Sequence, residues 1–122
     1  MMKKTNLMLG DYVQVLPDIR FHCNHYGYSK IKELRENDLD TEDLIELKYT
    51  EIVPIPLYTI ILIKNGFKPK GMCNTLTLIR DNIVLSLDDK GNWKFKDIEI
   101  SYVHELQHVF KIFKINIKLK LK

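Results

Sequence analysis

Five consecutive residues of this chain have the types and the spacing of a zinc-hydrolase motif. His104-Glu105-Leu106-Gln107-His108 matches the pattern H-E-x-x-H. On a helix, this pattern places two imidazoles one turn apart to bind zinc, and the glutamate acts as general base toward the metal-bound water. A catalytic zinc also needs a third protein ligand, and no His, Asp or Glu follows His108. We therefore expect no catalytic residue here, and a minimal zinc hydrolase that uses His104, Glu105 and His108 is the alternative.

A second group of metal-ligating residue types consists of His22, Cys23, His25 and Cys73. Two imidazoles and two thiolates are sufficient for a closed tetrahedral zinc site. Their spacing lacks the paired ligands of a zinc finger, however, and Cys73 must be brought close by folding. The other interpretation is an aromatic loop with a buried thiol. The sequence leaves both interpretations open, and we expect the chain to need no cofactor.

Charge is unevenly distributed along the chain, although the formal net charge is only +3. Residues 31–51 contain eight acidic and three basic residues, so this segment carries −5 and the rest of the chain +8. The last twelve residues contain five lysines and no acid. Charge runs are most often solvated surface, but opposite charges at two places also suit binding. The candidate binding residues are Glu36, Asp38, Asp40, Glu42 and Asp43 in the acidic segment, and Lys111, Lys114, Lys118, Lys120 and Lys122 at the basic end.

The size and the composition of the chain restrict the class of protein. A chain of 122 residues, 45% of them hydrophobic, predicts a single domain over residues 1–122. The longest apolar run, residues 57–63, is shorter than the roughly 18 to 20 residues that span a bilayer. Residues 1–10 lack the apolar stretch of a secretory signal. Two cysteines do not make a disulfide framework, so we expect reduced thiols and a cytoplasmic location.

The segment that carries the H-E-x-x-H match has the clearest helical pattern in the chain. Ser101 is the expected N-cap of this helix. Apolar residues recur along it as a single stripe that consists of Tyr102, Leu106, Val109, Phe110 and Phe113. At about 100° per residue, His104 and His108 lie nearly opposite the stripe. We therefore expect both imidazoles to face solvent.

Upstream of this helix, alternating apolar and polar residues predict strands. Residues 11–16 and 44–55 are expected strands, whereas residues 29–37 suit a strand and a helix equally well. Residues 37–43 have the composition of an acidic turn. Residues 75–101 contain alternating apolar runs separated by turn residues, which predicts a β-meander. Trp93 and Phe95 of that meander are expected to lie in the core.

Two further segments complete the predicted fold. Residues 57–64 are rich in β-branched side chains, but Pro56 precedes them and Asn65-Gly66 follows them, so we expect a short buried helix. Residues 115–121 alternate Ile or Leu with Asn or Lys, which predicts a closing basic strand. The predicted class is therefore α+β. The expected architecture is a small, mostly antiparallel sheet or an SH3-like partial barrel, with a short middle helix and an amphipathic C-terminal helix before the basic strand.

Three stretches, in this order, resemble a family of small uncharacterised proteins of Bacteroidetes genomes, phages and prophages. They are LGDYVQV at 9–15, IVPIPL at 52–57 with KNGF at 64–67, and ISYVHELQH at 100–108. The resemblance implies an SH3-like first strand, a short helix after the second stretch and a final helix. The family commonly has Asn at the position of His108, which implies that the H-E-x-x-H match is accidental. It also has polar residues in place of residues 58–61, which implies that this helix packs against something extra here.

The favoured function is that of a non-enzymatic phage or mobile-element protein. It would inhibit a host defence nuclease, in the manner of an anti-CRISPR protein, by binding the protein or guide-RNA surface of the nuclease. The expected partner is a host protein or ribonucleoprotein, with RNA contact through the basic end or nucleic-acid imitation by the acidic segment, and no membrane. The alternatives are the minimal zinc hydrolase and a plain nucleic-acid-binding module.

Overall fold

A computed structural model of the chain describes residues 7–16, 27–70 and 76–121. The chain divides into two compact units, Met1–Ile55 and Pro56–Lys122, which we call the N-terminal unit and the C-terminal unit. Two antiparallel sheets and two α-helices are present in the described residues, which confirms the predicted α+β class. That the whole chain forms one domain stays a prediction. No helix in the described part of the chain has the length and the apolar character needed to cross a membrane.

The N-terminal unit contains a five-stranded antiparallel sheet with the strand order β4-β3-β2-β1-β5. Its strands are β1 (Tyr12–Val15), β2 (Gly27–Leu34), β3 (Asp38–Thr41), β4 (Leu47–Lys48) and β5 (Ile52–Val53). Strand β1 confirms the strand predicted near residues 11–16, and β2 resolves the ambiguous segment as a strand. The buried core of the unit is apolar: Leu7, Val13, Val15, Ile31, Leu39, Leu47 and Ile52.

The continuous strand predicted over residues 44–55 is wrong. Strands β4 and β5 are separated by a single 3-10 turn, Tyr49–Glu51, and pair with different neighbours, β3 and β1. The Glu51 carboxylate accepts a hydrogen bond from the backbone N–H of Lys48 at 2.9 Å and closes this turn. A local side-chain-to-backbone bond therefore competes successfully with the extended conformation that the apolar pattern favours.

The C-terminal unit contains a second five-stranded antiparallel sheet, with the strand order β10-β9-β8-β7-β6. Its elements are α1 (Thr59–Lys64), β6 (Lys68–Pro69), β7 (Thr77–Arg80), β8 (Ile83–Leu87), β9 (Trp93–Phe95), β10 (Ile98–Ile100) and α2 (Val103–Ile112). Helix α1 confirms the short middle helix, and β7 to β10 confirm the β-meander. Both sheets are open, so the antiparallel-sheet alternative describes them rather than the barrel.

Turn chemistry explains the meander. The β7–β8 turn has Asp81 in the left-handed region at φ 54°, and Asp and Asn tolerate this region better than most residues. The β8–β9 loop is held by the Asp88 carboxylate, which accepts hydrogen bonds from the backbone N–H groups of Lys90 and Asn92 at 2.9 and 2.8 Å. Both bonds favour the ionised form of Asp88, with the bond from Asn92 the larger cause, and lower its pKa.

Trp93 and Phe95 are buried, as predicted, and the indole N–H of Trp93 donates a hydrogen bond to the backbone carbonyl of Leu57 at 2.9 Å. This bond satisfies the one polar group of a large core side chain. It also fixes the chain just before α1 to the meander.

Residues 115–121 do not form the predicted closing strand. They follow α2 without assigned secondary structure, although burial still alternates along them: Leu119 and Leu121 are buried, and Lys118 and Lys120 are exposed. The alternation of residue types therefore correctly predicts which side of the segment is buried. It does not predict whether a neighbouring strand is present to pair with the segment.

Candidate functional site

Helix α2 carries the H-E-x-x-H match, and its buried face differs from the predicted stripe. The buried residues are Val103, His104, Leu106, Val109 and Phe110. Tyr102 and Phe113, the two ends of the predicted stripe, are 37% and 38% exposed. Both predicted ends lie outside the helix, at the N-cap and the C-cap, so the helical angle does not apply to them.

The prediction that His104 and His108 both face solvent is wrong for His104. Its side chain is only 6% exposed, and its ring stacks on Tyr102 with the ring centroids 5.8 Å apart. His108 is half-buried, and its ring meets that of His104 edge-on at a centroid distance of 5.6 Å. The two imidazoles therefore share one side of the helix as part of its packed surface.

Glu105, the general base of the alternative hydrolase, caps the helix instead. Its Oε1 atom accepts hydrogen bonds from the backbone N–H groups of Ser101 and Tyr102 at 2.9 and 3.0 Å. A glutamate at this position satisfies N–H groups that the first turn leaves without helical partners. Ser101 is therefore not the N-cap that we predicted, because Tyr102 takes this position and the cap is made by the Glu105 carboxylate.

Metal-ligating residues are not clustered in the described ranges, where no group of three His, Cys, Asp or Glu side chains is placed to hold a metal ion. The second candidate group, His22, Cys23, His25 and Cys73, lies outside the described residues. The two interpretations of that group, zinc ligands or an aromatic loop with a buried thiol, therefore stay as the sequence leaves them.

The acidic candidates lie on β3, on the turn before it and on the turn after it. We call Glu36, Asp38, Asp40, Glu42 and Asp43 together the acidic surface. Within it, Asp38 and Asp40 are half-buried because both hold the guanidinium group of Arg35, with N–O distances of 2.5 and 2.6 Å. Glu33 contacts the same guanidinium group at 3.1 Å. The outward acids of this surface are therefore Glu36, Glu42 and Asp43, all of them exposed.

The Arg35 cluster changes the titration of its members. The hydrogen bond from Arg35 holds the pKa of Asp40 at about 2, and a second bond from the backbone N–H of Glu46 acts in the same direction. The carboxylates of Asp40 and Asp38 raise the pKa of Arg35. Tyr49 donates its hydroxyl to the backbone carbonyl of Arg35, and desolvation raises the pKa of Tyr49. The acidic surface is thus fixed by an ionised cluster at its base.

The turn after β3 is fixed by side-chain hydrogen bonds. Ser29 donates its hydroxyl to Asp43 at 2.8 Å, and the backbone N–H of Glu46 donates to Asp40 at 2.8 Å. The backbone N–H of Leu44 donates to the Thr41 hydroxyl at 3.1 Å. These bonds hold the exposed acids of the turn in one arrangement before any partner arrives.

The basic candidates follow the end of α2. We call Lys111, Lys114, Lys118, Lys120 and Lys122 the cationic segment; Lys122 is outside the described residues. Lys111 is on the last turn of α2, Lys114 is in the turn that follows the helix, and Lys118 and Lys120 are exposed residues of the tail. The alternation of exposed lysine with buried or half-buried Ile and Leu keeps the cations on one side of the tail.

Asn65 holds this tail in place. Its side-chain amide donates to the backbone carbonyl of Lys120 at 3.0 Å and accepts from the backbone N–H of Lys120 at 2.7 Å. The sequence identified Asn65-Gly66 only as the stop signal of α1, and Gly66 does have a left-handed φ of 89°. The contact with Lys120 spans 55 residues of sequence, so no local pattern signals it.

An exposed aromatic residue beside the cationic segment was also missed. The ring of Phe113 meets that of buried Phe95 edge-on at a centroid distance of 5.3 Å. The Lys96 ammonium lies over both rings, 4.9 Å from the centroid of Phe113 and 5.7 Å from that of Phe95. The predicted apolar stripe that begins at Tyr102 assigned Phe113 to the core, whereas Phe113 lies just beyond the helix and is partly exposed to solvent.

Helix α1 exposes apolar side chains as well as burying them. Ile61 and Leu62 are buried, while Ile60 and Ile63 are exposed, as is Tyr58 at the N-cap. The resemblance implied an extra packing partner for this helix. Within the described residues, the three exposed side chains remain in contact with solvent.

Charge is divided between the units: the N-terminal unit has seven Lys and Arg residues against ten Asp and Glu, and the C-terminal unit has twelve Lys and Arg against six Asp and Glu.

Comparisons of the chain with protein-family models, with curated proteins and with solved structures find no match.

Proposed function

We propose that the chain is a non-enzymatic binding protein of a phage or mobile element, and that it inhibits an RNA-guided host defence nuclease. The separation of charge carries the proposal, since the N-terminal unit has a net charge of −3 and the C-terminal unit +6. A ribonucleoprotein offers partners for both signs, because its RNA is anionic and the channel that holds nucleic acid is cationic. The resemblance of three motifs to phage and prophage proteins supports the mobile-element origin.

The acidic surface suits the protein component of such a target. Glu42 and Asp43 are exposed carboxylates on the turn after β3, whose backbone is held by hydrogen bonds to Asp40 and Thr41, and Glu36 is exposed on the turn before β3. Preorganised charges lose little conformational entropy when they bind, and complementary charge speeds association and selects the partner. A basic channel built for phosphate groups is the complementary surface.

The cationic segment suits the RNA component. Lys114, Lys118 and Lys120 are exposed, and the buried side chains of Leu119 and Leu121 fix the tail that carries them. Lysine binds phosphate as a compact point charge, and each neutralised phosphate releases condensed counterions. Binding through this segment is therefore expected to weaken steeply as salt is raised.

The role of Glu105 supports a binding protein over the alternative hydrolase. A general base needs its carboxylate beside a metal-bound water, whereas one oxygen of Glu105 already accepts two backbone hydrogen bonds at the start of α2. The motif spacing is satisfied, but the side chain is used to begin the helix.

Affinity capture tests the proposed function. The tagged full chain is incubated with lysate of a bacterial host that carries an RNA-guided nuclease, with and without added ribonuclease and deoxyribonuclease. We expect recovery of one large nuclease with its RNA under both conditions, and we expect the purified chain to stop cleavage by that nuclease. Recovery of no nuclease, or cleavage that continues at saturating chain, contradicts the proposal.

A further inference from the structure

One surface of the C-terminal unit combines an exposed aromatic ring with an ammonium group. Phe113 is 38% exposed, and buried Phe95 fixes its orientation through the edge-on contact at 5.3 Å. Lys96 lies over the Phe113 ring at 4.9 Å. A ring fixed in this way needs little ordering before a second planar group packs against its exposed part, and an ammonium group already lies over the same ring.

Two lysines of this surface occupy backbone conformations that favour glycine. Lys96, the first residue of the β9–β10 turn, and Lys114 both have φ 56°. Lys114 is the first residue beyond the C-cap of α2: its N–H bonds to Lys111, and the N–H of Ile115 bonds to Phe110 at 2.7 Å, which is the Schellman arrangement. Glycine is the usual residue there because it has no Cβ penalty. The chain has cations at both positions, at a cost in backbone energy.

The cations continue along the tail from this point. Side chains two residues apart on an extended segment lie about 7 Å apart, so Lys118 and Lys120 are neighbouring cations on the tail, four residues beyond Lys114. Neither Lys114 nor Lys118 pairs with a carboxylate in the ranges that the structure describes. Their charge is available to a partner.

We infer that Phe113, Lys96, Lys114, Lys118 and Lys120 form a binding surface for single-stranded RNA. A base stacks on Phe113, and the ammonium groups contact successive phosphates. Proteins that bind unpaired strands combine aromatic platforms with cations that follow the backbone in this way. An acidic peptide would use the cations but gives no role to the exposed ring. The inference rests on the proposed function, since it names what the cationic segment of the inhibitor contacts.

Fluorescence anisotropy with labelled oligonucleotides tests the surface on the full chain, without any nuclease. The probes are a 15-mer of uridine and a 15-mer of thymidine. Lys96→Gly and Lys114→Gly remove a cation while relieving a left-handed backbone, so thermal denaturation is expected to show no loss of stability in either. Each is expected to weaken uridine binding about threefold or more and to lower the slope of log affinity against log salt by about 0.7. Phe113→Leu keeps an apolar contact with Phe95 and is expected to weaken binding at least fivefold.

Lys94→Ala is the matched control. Lys94 is an exposed lysine of β9, one residue before Phe95, so its side chain lies on the other face of the strand. This variant removes the same charge and is expected to bind uridine like the unmodified chain. The inference is overturned if Lys94→Ala weakens uridine binding as much as Lys96→Gly does, or if Phe113→Leu has no effect. It is also overturned if polyphosphate competes for the chain as well as unlabelled uridine 15-mer does, or if the chain binds only the thymidine 15-mer.

Failure of this surface and failure of the proposed function give different results. Binding of uridine that depends on Phe113, together with full nuclease cleavage in the presence of the chain, supports the surface and contradicts the inhibitor. Inhibition of the nuclease by a chain that binds no oligonucleotide supports the inhibitor and overturns the surface.

Discussion

The side-chain amide of Asn65 and the backbone of Lys120 exchange two hydrogen bonds, at 3.0 Å from the amide to the carbonyl and at 2.7 Å from the N–H to the amide oxygen. This is the exchange that a residue in a neighbouring antiparallel strand would make, supplied here by one side chain. Asn65 is 7% exposed, and its amide also donates to the carbonyl of Ile61 at 2.8 Å. One side chain thus joins the end of α1 to the tail that carries the cationic segment.

Replacing Asn65 is therefore expected to release the tail. Asn65→Ala removes three hydrogen bonds around a buried position and is expected to lower the free energy of unfolding by about 2–3 kcal/mol. Asn65→Asp keeps an acceptor for Lys120 but places a carboxylate against two carbonyl oxygens, so it is expected to destabilise as well. Urea denaturation measures both effects.

Asn116→Ala is the control for Asn65, because Asn116 is an exposed asparagine of the same tail. It is expected to change the free energy of unfolding by less than about 0.5 kcal/mol. A value for Asn65→Ala within that same margin would show that the amide does not hold the tail.

Acid is expected to weaken the N-terminal unit through Asp40. Its pKa is lowered from 3.8 to about 2, chiefly by the hydrogen bond from Arg35, so the ionised form favours folding. This stabilisation is complete above about pH 4 and is lost as the pH falls toward 2. Asp40→Asn is expected to be less stable than the unmodified chain at pH 7 and to lose less stability between pH 4 and pH 2.

The measurement is the urea midpoint followed through the backbone amide resonance of Leu39, which is buried on β3 beside Asp40. Glu42→Gln removes an exposed carboxylate outside the Arg35 cluster and is expected to keep the acid dependence of the unmodified chain. If the urea midpoints of Asp40→Asn and of the unmodified chain fall in parallel between pH 4 and pH 2, Asp40 is not the source of the acid dependence.

Glu105 is expected to matter for its acceptor oxygen and not for its charge. Glu105→Ala leaves two N–H groups at the start of α2 without their partner and is expected to cost about 1 kcal/mol of unfolding free energy. Glu105→Gln keeps a carbonyl oxygen at the same position and is expected to cost less than half of that. Thermal denaturation compares the two variants, with Glu99→Ala, at an exposed position of β10, as control. Equal losses from Ala and Gln contradict the capping role.

Much of the fold follows from local pattern in the sequence. Period-two alternation and turn residues such as Asp88 predict the β-meander, because strand register and turn geometry depend on neighbouring residues. Pro56 and Asn65-Gly66 identify α1 against the β-branched composition between them. These are signals that reach over a few residues only.

The pattern fails where a contact is distant or where a helix ends. The apolar stripe includes Tyr102 and Phe113, which flank α2, because an angle per residue holds only inside the helix. It omits His104, which is inside the helix and is buried with its ring stacked on that of Tyr102. Alternation in residues 115–121 predicts the buried side but not the missing partner strand, since the partner is the amide of Asn65.

The sequence predicts which residues belong to the candidate site, but it does not predict how their side chains are arranged. Each described residue of the acidic surface and the cationic segment was identified from charge alone, and each is exposed or half-buried. Side chains that meet across turns make the contacts of Arg35 with Asp38 and Asp40 and of Lys96 with Phe113. A count of charged residues along the sequence does not predict such contacts.

The proposed function requires two oppositely charged surfaces to act together on an RNA-guided nuclease. The most direct measurement is the fraction of target DNA cleaved by the purified ribonucleoprotein as a function of added chain. Two triple variants are compared with the unmodified chain: Lys114→Glu, Lys118→Glu and Lys120→Glu together, and Glu36→Lys, Glu42→Lys and Asp43→Lys together. We predict full inhibition by the unmodified chain and at least tenfold weaker inhibition by each folded variant. Unchanged inhibition by both variants, or no inhibition by the unmodified chain, would contradict the account.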